Sequence, residues 1–184
     1  MGVMINGVYQ VADPTPDTDV SGEFKRAEAA IRNWVTPDGS SGPTGIGGFK
    51  AETGRYHLFV AWNCPWAHRA LLVQAVKGLA DAISVSYALP RRDEQGWVFD
   101  TEGAFGDPLL QARAVHEVYA LASPSYTGRI TVPVLFDKQS NQPVSNESAD
   151  IVRMLNAGFE GGPDLYPDKK RSNIDGWNDL IYPT

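Results

Sequence analysis

Apolar residues that crowd into short β-branched runs mark strands along this chain, and apolar residues that return every three or four positions mark helices. Tyr56-His57-Leu58-Phe59-Val60-Ala61-Trp62 predicts a strand, which Asn63-Cys64-Pro65 ends. A helix is expected from Pro65, with Leu71, Leu72, Ala75, Val76 and Leu79 on one face and Gly78 near its C-terminus. Residues 82–89 predict a second strand, stopped by Pro90. Strand, helix and strand at this spacing form a βαβ unit with parallel strands. Residues 90–110 read as a long charged loop containing Gly96-Trp97-Val98-Phe99, followed by a helix around 110–121. Thr131-Val132-Pro133-Val134-Leu135-Phe136 predicts a third strand, and Pro143-Val144-Ser145 a short fourth one at the sheet edge. Residues 146–155 then open with capping residues and continue with a helical apolar face.

The order βαβ followed by αββα is that of the thioredoxin fold, so the expected class is α/β. Residues 51–160 form this thioredoxin-like domain. Residues 1–50, rich in Gly, Pro, Ser and Asp, read as an N-terminal extension; within it Phe24, Ile31 and Trp34 fall at helical spacing and predict a short helix over 24–34. Residues 161–184 read as a linker and the first part of an incomplete helical domain, because the helix expected over 171–182 leaves Trp177 and Ile181 with no later element to cover them. At 184 residues the chain suits one domain of roughly 100–150 residues with an appendage.

Composition narrows the class of partner. A net charge of −6 argues against nucleic acid and anionic membranes, and no apolar run approaches the ~18 residues a bilayer span needs. Small molecules are the expected partners. The N-terminus lacks a basic flank and a sustained apolar stretch, and a single cysteine allows no internal disulfide, which together favour a reducing, cytoplasmic setting. Three scattered histidines and one cysteine make no zinc site.

Cys64 is placed at a strand-to-helix junction with proline at the first helical position, where unpaired N–H groups and the helix dipole favour a thiolate. A buried, inert cysteine is the plainer alternative for an isolated residue. No second cysteine follows in Cys64-Pro65-Trp66-Ala67, so a mixed disulfide at Cys64 needs an external thiol, for which glutathione is the abundant cytoplasmic candidate. With Pro133 cis, Val132 would offer its backbone N–H and C=O to an extended peptide such as glutathione; as a trans proline it would only mark a strand edge. Glu147 and Ser148 stand at a helix N-terminus suited to the ammonium and carboxylate of a γ-glutamyl group, and serve equally as an ordinary cap. Trp97 is either a closing wall over the glycyl end or a core anchor. His57 and His116 have no plausible triad partner in the sequence.

Taken in order, Gly54-Arg55-Tyr56-His57-Leu58, Cys64-Pro65-Trp66-Ala67-His68-Arg69, Lys77-Gly78-Leu79, Thr127-Gly128-Arg129-Ile130-Thr131-Val132-Pro133-Val134-Leu135 and Asn146-Glu147-Ser148 resemble the Xi-class glutathione transferases, the glutathionyl-hydroquinone reductases. The resemblance implies a glutathione-dependent thiol transferase with Cys64 as nucleophile, glutathione as co-substrate, no metal, and an aromatic glutathionyl-hydroquinone as the second partner. Trp97, Arg129, Val132, Pro133, Glu147 and Ser148 would bind glutathione. It further implies an all-helical domain after the thioredoxin-like one, of which this chain holds only the start, and a homodimer where that domain is present. Phe136 stands where the family usually has tryptophan, and Ser145 where asparagine is common. An omega-like glutathione transferase, acting as thiol transferase or dehydroascorbate reductase, and a truncated non-catalytic glutathione-binding module are the alternative readings.

Overall fold

The computed structural model describes residues 2–12 and 28–181. In chain order the strands are β1 (Val3–Ile5), β2 (Val8–Gln10), β3 (Val35–Thr36), β4 (Phe49–Lys50), β5 (Tyr56–Ala61), β6 (Ile83–Ala88), β7 (Arg92–Asp93), β8 (Gly96–Trp97), β9 (Gly128–Arg129), β10 (Val134–Asp137) and β11 (Gln142–Ser145). The helices are α1 (Pro65–Val76), α2 (Val115–Ala122), α3 (Ser148–Gly158) and α4 (Arg171–Ile181). The main sheet runs β11-β10-β5-β6, with β5 and β6 parallel and β10 antiparallel to both of its neighbours. This is the thioredoxin-like arrangement expected from the βαβ and ββα halves.

Every residue of β5 is buried, so the sheet is covered on both faces here. Helices α1 and α3 pack together, while α2 packs separately against β8 and β11. Tyr56, Leu58, Phe59, Ile83, Leu135, Phe136, Ile151, Met154 and Leu155 fill the core, each worth about 1.5–3 kcal/mol of burial. Phe136 meets Phe59 edge to face at 5.8 Å, so its ring is a core contact.

Several expectations are corrected. Residues 28–34 of the helix expected over 24–34 are not helical, and Phe24 lies outside the described residues. Instead, Asn33 N–H donates to Val144 O, Asn146 N–H donates to Ile31 O, and Arg32 bridges Ser145. The open edge of β11 offers backbone partners that a short isolated helix cannot match, so the tertiary context overrides the spacing. Helix α1 turns inward through Ala67, Ala70 and Gln74, leaving Leu72 and Val76 53% and 43% exposed. Small residues permit the close approach, and Gln74 Nε2 donates to Ile83 O at 2.6 Å. Helix α2 starts at Val115 rather than 110, because the Asp107 carboxylate takes the N–H groups of Leu109, Leu110 and Ala112 and holds that stretch non-helical. The charged loop contains the β7–β8 hairpin. Residues 3–10 form a hairpin whose β1 pairs with β9; its Asn6-Gly7 turn, with φ of 49° and 78°, is a two-residue signal that the glycine-rich composition of the region concealed.

Two buried polar networks pin loops to the sheet. Asp137, fully buried, receives Arg55 Nε and Nη2 at 2.8 and 2.7 Å, together with Ser140 Oγ–H and the Gln139 N–H. Burial alone would raise the Asp137 carboxyl, but these donors outweigh it and hold the group below the usual carboxylate range. His57 lies between Ser84 Oγ (2.7 Å) and Ser86 Oγ (2.8 Å), and Ser86 donates onward to Asp107. The serine, not the histidine, contacts the aspartate, so this relay is no catalytic triad. Burial pushes the imidazole down to about 4, against the opposing pull of Asp107.

Asp137→Ala leaves the Arg55 charge without its buried partner and is expected to lower the unfolding free energy by about 3–5 kcal/mol in urea titrations; a change below about 1 kcal/mol would contradict the role given to the pair. A neutral His57 stabilises fully above its unfolded value of about 6.5, and this contribution is lost as pH falls from there towards the folded value of about 4. Stability should therefore decline by up to about 3 kcal/mol across that window, and His57→Gln should flatten the decline. An identical pH slope in the variant would refute the assignment.

Candidate active site

The end of β5 delivers Cys64 to the start of α1. Trp62 and Asn63 turn the chain, Asn63 Nδ2 donates to Pro90 O at 2.9 Å, and Cys64 becomes the N-cap with extended φ and ψ of −95° and 113°. Its carbonyl accepts from His68 N–H, so the helix is engaged from its first turn. Pro65 occupies the opening position and the first turn carries no acidic residue, which leaves the positive end of the dipole unopposed at the sulfur. Cys64 is only 8% exposed, and its Sγ–H donates to Val132 O at 3.4 Å.

That carbonyl belongs to the segment entering β10, where the Val132-Pro133 bond is cis. The segment is held from behind: Tyr119 Oη–H donates to Thr131 O at 3.0 Å and Tyr126 Oη–H donates to Arg129 O at 3.2 Å. Burial raises both phenols well above their ordinary value, so they stay protonated donors. Asn146 then ties the segment to α3. Its Nδ2 reaches Thr131 Oγ1 at 3.5 Å, and its Oδ1 accepts from Ile31 N–H at 3.2 Å.

At the head of α3, Glu147 is the N-cap and its Oε1 accepts from Ala149 N–H at 3.0 Å. Ser145 Oγ accepts from Glu147 N–H at 3.1 Å. Ser148 opens the helix, is 2% exposed, and its Oγ has no hydrogen-bond partner among the described residues. A buried hydroxyl without a partner costs about 1–3 kcal/mol, which sets Ser148 apart from the satisfied polar groups around it.

Cys64, Val132, Pro133, Glu147 and Ser148 are thus joined through one connected path. Trp97 and Arg129 stand on other elements. Trp97, buried in β8 with the Arg92 guanidinium 5.1 Å from its ring centre, lines a cleft of about 250 Å³ with Tyr9, Asp93, Gly96 and Ile130, among others. Arg129 lies in β9, opposite Val3 of β1. The supporting residues Thr131, Tyr119 and Arg32 were not singled out by the sequence: their hydrogen bonds reach partners 12 to 118 positions away, and no local pattern reports such contacts. Tyr126, whose partner Arg129 lies three positions on, was not singled out either. Among the described residues, no cluster of three or more His, Cys, Asp or Glu side chains is arranged to hold a metal, and no helix is long and apolar enough to cross a membrane.

Comparison with known proteins agrees with this fold. Residues 63–157 match the family described as glutathione S-transferase, N-terminal domain. Across its whole length the chain is 48% identical to the glutathionyl-hydroquinone reductase YqjG of Escherichia coli, of which it covers 58%. A glutathione-bound structure of YqjG superposes over 98% of this chain and 55% of that one, with a TM-score of 0.84 and 44% identity. A Xi-class glutathione transferase from Natrialba magadii superposes over 99% and 54%, with a TM-score of 0.81 and 36% identity. The chain therefore spans a little over half the length of these relatives. With residues 63–157, just over half of the chain, matching that family's model, the chain belongs to the glutathione S-transferase family through the family's N-terminal domain.

Proposed function

We propose that this chain binds glutathione and carries the thiol-transfer chemistry of a reductase acting on glutathionyl-hydroquinones. The observation that carries the reading is the conjunction of a lone thiol at a helix N-terminus with a second helix N-terminus bearing an unpartnered buried hydroxyl. Glutathione is extended, zwitterionic at its γ-glutamyl end and a thiol at its centre. In this reading Val132, placed by Pro133, pairs its backbone with the cysteinyl unit beside Cys64. Ser148 and the N–H groups of α3 receive the γ-glutamyl carboxylate, and Glu147 receives the ammonium. Trp97 closes over the glycyl end, and Arg129 is a further glutathione contact.

The chemistry follows from having one cysteine. The Cys64 thiolate attacks the sulfur of the conjugate, the carbon–sulfur bond breaks, and the ring carbon takes a proton to give the hydroquinone. Cys64 is left as a mixed disulfide with glutathione. A second glutathione thiolate attacks the glutathione sulfur of that disulfide, releasing oxidised glutathione and the Cys64 thiolate. The two electrons that reduce the ring come from the two glutathione thiols. A reducing, cytoplasmic compartment suits this cycle because it supplies the second glutathione. The similarity to YqjG supports the substrate class. Because the chain spans 58% of that relative, a glutathione-binding module without turnover is the second reading.

Two measurements test the proposal. Cys64→Ser is expected to reduce turnover of glutathionyl-menadiol by at least about 10³-fold while glutathione still binds within a few-fold; normal turnover in the variant would refute the nucleophile, and binding without turnover in the parent chain would favour the module. Ser148→Ala should act in opposite directions on two readouts. Glutathione affinity falls about tenfold as the carboxylate loses its hydroxyl donor, while thermal stability holds or rises, because an unsatisfied buried group has been removed. A loss of stability without loss of affinity would mean that Ser148 only caps the helix.

A further inference from the structure

The first turn of α3 carries an apparent conflict. A carboxylate-binding helix N-terminus should be electropositive, yet Glu147 is its cap and Asp150 lies in its first turn. Asp150 is buried, and a bare charge there would repel an incoming carboxylate at Ser148, two residues away. The chain supplies a counter-charge from far off in sequence. Arg32 Nε donates to Asp150 Oδ2 at 2.7 Å and Nη2 donates to Oδ1 at 3.0 Å, engaging both oxygens. Arg32 itself remains 39% exposed on its side chain, against 8% for Asp150, and it also feels the field of Glu147.

The arginine is delivered to this position by the extended segment that pairs with β11. Asn33 N–H donates to Val144 O, and Ile31 exchanges two hydrogen bonds with Asn146, once through each of its backbone groups. Arg32 is therefore fixed between the residue that ties Thr131 to α3 and the residue that loads the first turn with negative charge. The unpartnered Ser148 Oγ, 2% exposed at the same turn, is the independent sign that something besides protein completes this place.

We propose that Arg32 is a positioning residue of the γ-glutamyl site: by neutralising Asp150 it keeps the first turn of α3 attractive to the ligand's carboxylate. The inference rests on the glutathione reading above and adds that the segment before the thioredoxin-like domain is part of the site. A purely structural ion pair would behave differently, because breaking it from either side would do equal harm. Under the electrostatic role, removing the arginine exposes a harmful charge, whereas removing the aspartate exposes none.

The test is glutathione binding by calorimetry to the full 184-residue chain and its variants. Arg32→Gln should raise the dissociation constant about tenfold, equivalent to 1.4 kcal/mol, and the loss should shrink as salt screens the half-exposed site. Asp150→Asn should bind glutathione at least as tightly as the parent, and the double variant should recover to within about twofold of it. Arg32→Lys should retain most of the affinity. The analogue 4-aminobutyryl-cysteinyl-glycine, which lacks the γ-glutamyl α-carboxylate, should bind the parent and Arg32→Gln alike. An unchanged constant in Arg32→Gln, or an equal loss in Asp150→Asn, overturns the proposal while leaving the glutathione reading standing. A parent chain that fails to bind glutathione overturns both.

Discussion

The position of β5 between β6 and β10 is the constraint on which the rest depends. Its parallel register with β6, from Tyr56 opposite Ile83 to Ala61 opposite Ala88, ends three residues before Cys64 and so sets where the thiol emerges. Its antiparallel register with β10, from Phe59 opposite Val134 to Tyr56 opposite Asp137, sets where Val132 arrives from the other side. The contact of Cys64 Sγ with Val132 O is the meeting of these two registers. A slip of one residue in either would turn the side chains of a fully buried strand to the opposite faces. The hydrophobic pattern that builds the core therefore also aligns Cys64 with Val132.

Around that contact, the polar groups divide by what they hold. Arg55 and Asp137 lock the far end of β10, and His57 with Ser86 and Asp107 anchors the long connection leading from β8 to α2. Tyr119, Tyr126 and Asn146 support the segment 129–132 from behind. These groups are satisfied by the protein itself. Among the described residues Ser148 Oγ has no such partner, and that contrast sets it apart from the groups that build the scaffold.

The main sheet, α1, α3 and the junction cysteine were legible in the sequence because each is written in local terms: a β-branched run, a proline at a helix start, a cap before an apolar face. The cap at Glu147 was legible in the same local terms, whereas the contact of Val132 with Cys64 joins residues 68 positions apart and was not read from the sequence. What escaped was non-local. Arg32 lay within an apparent helix until the edge of β11 claimed its neighbours, and the buried face of α1 proved to be Ala67, Ala70 and Gln74 rather than Leu72, Ala75 and Val76. The β1–β2 hairpin has only three residues per strand and gains its place by pairing with β9, more than 100 residues later in the sequence.

The central claim is that Cys64 takes glutathione from a conjugate onto its own sulfur. Intact-mass spectrometry after mixing the chain with one equivalent of glutathionyl-hydroquinone, with no free glutathione present, tests it most directly. The account predicts one glutathionyl group added at Cys64, hydroquinone released in equal amount, and loss of the adduct when glutathione is supplied. Release of hydroquinone without modification of Cys64, or a conjugate left intact by a chain that binds it, would contradict the account.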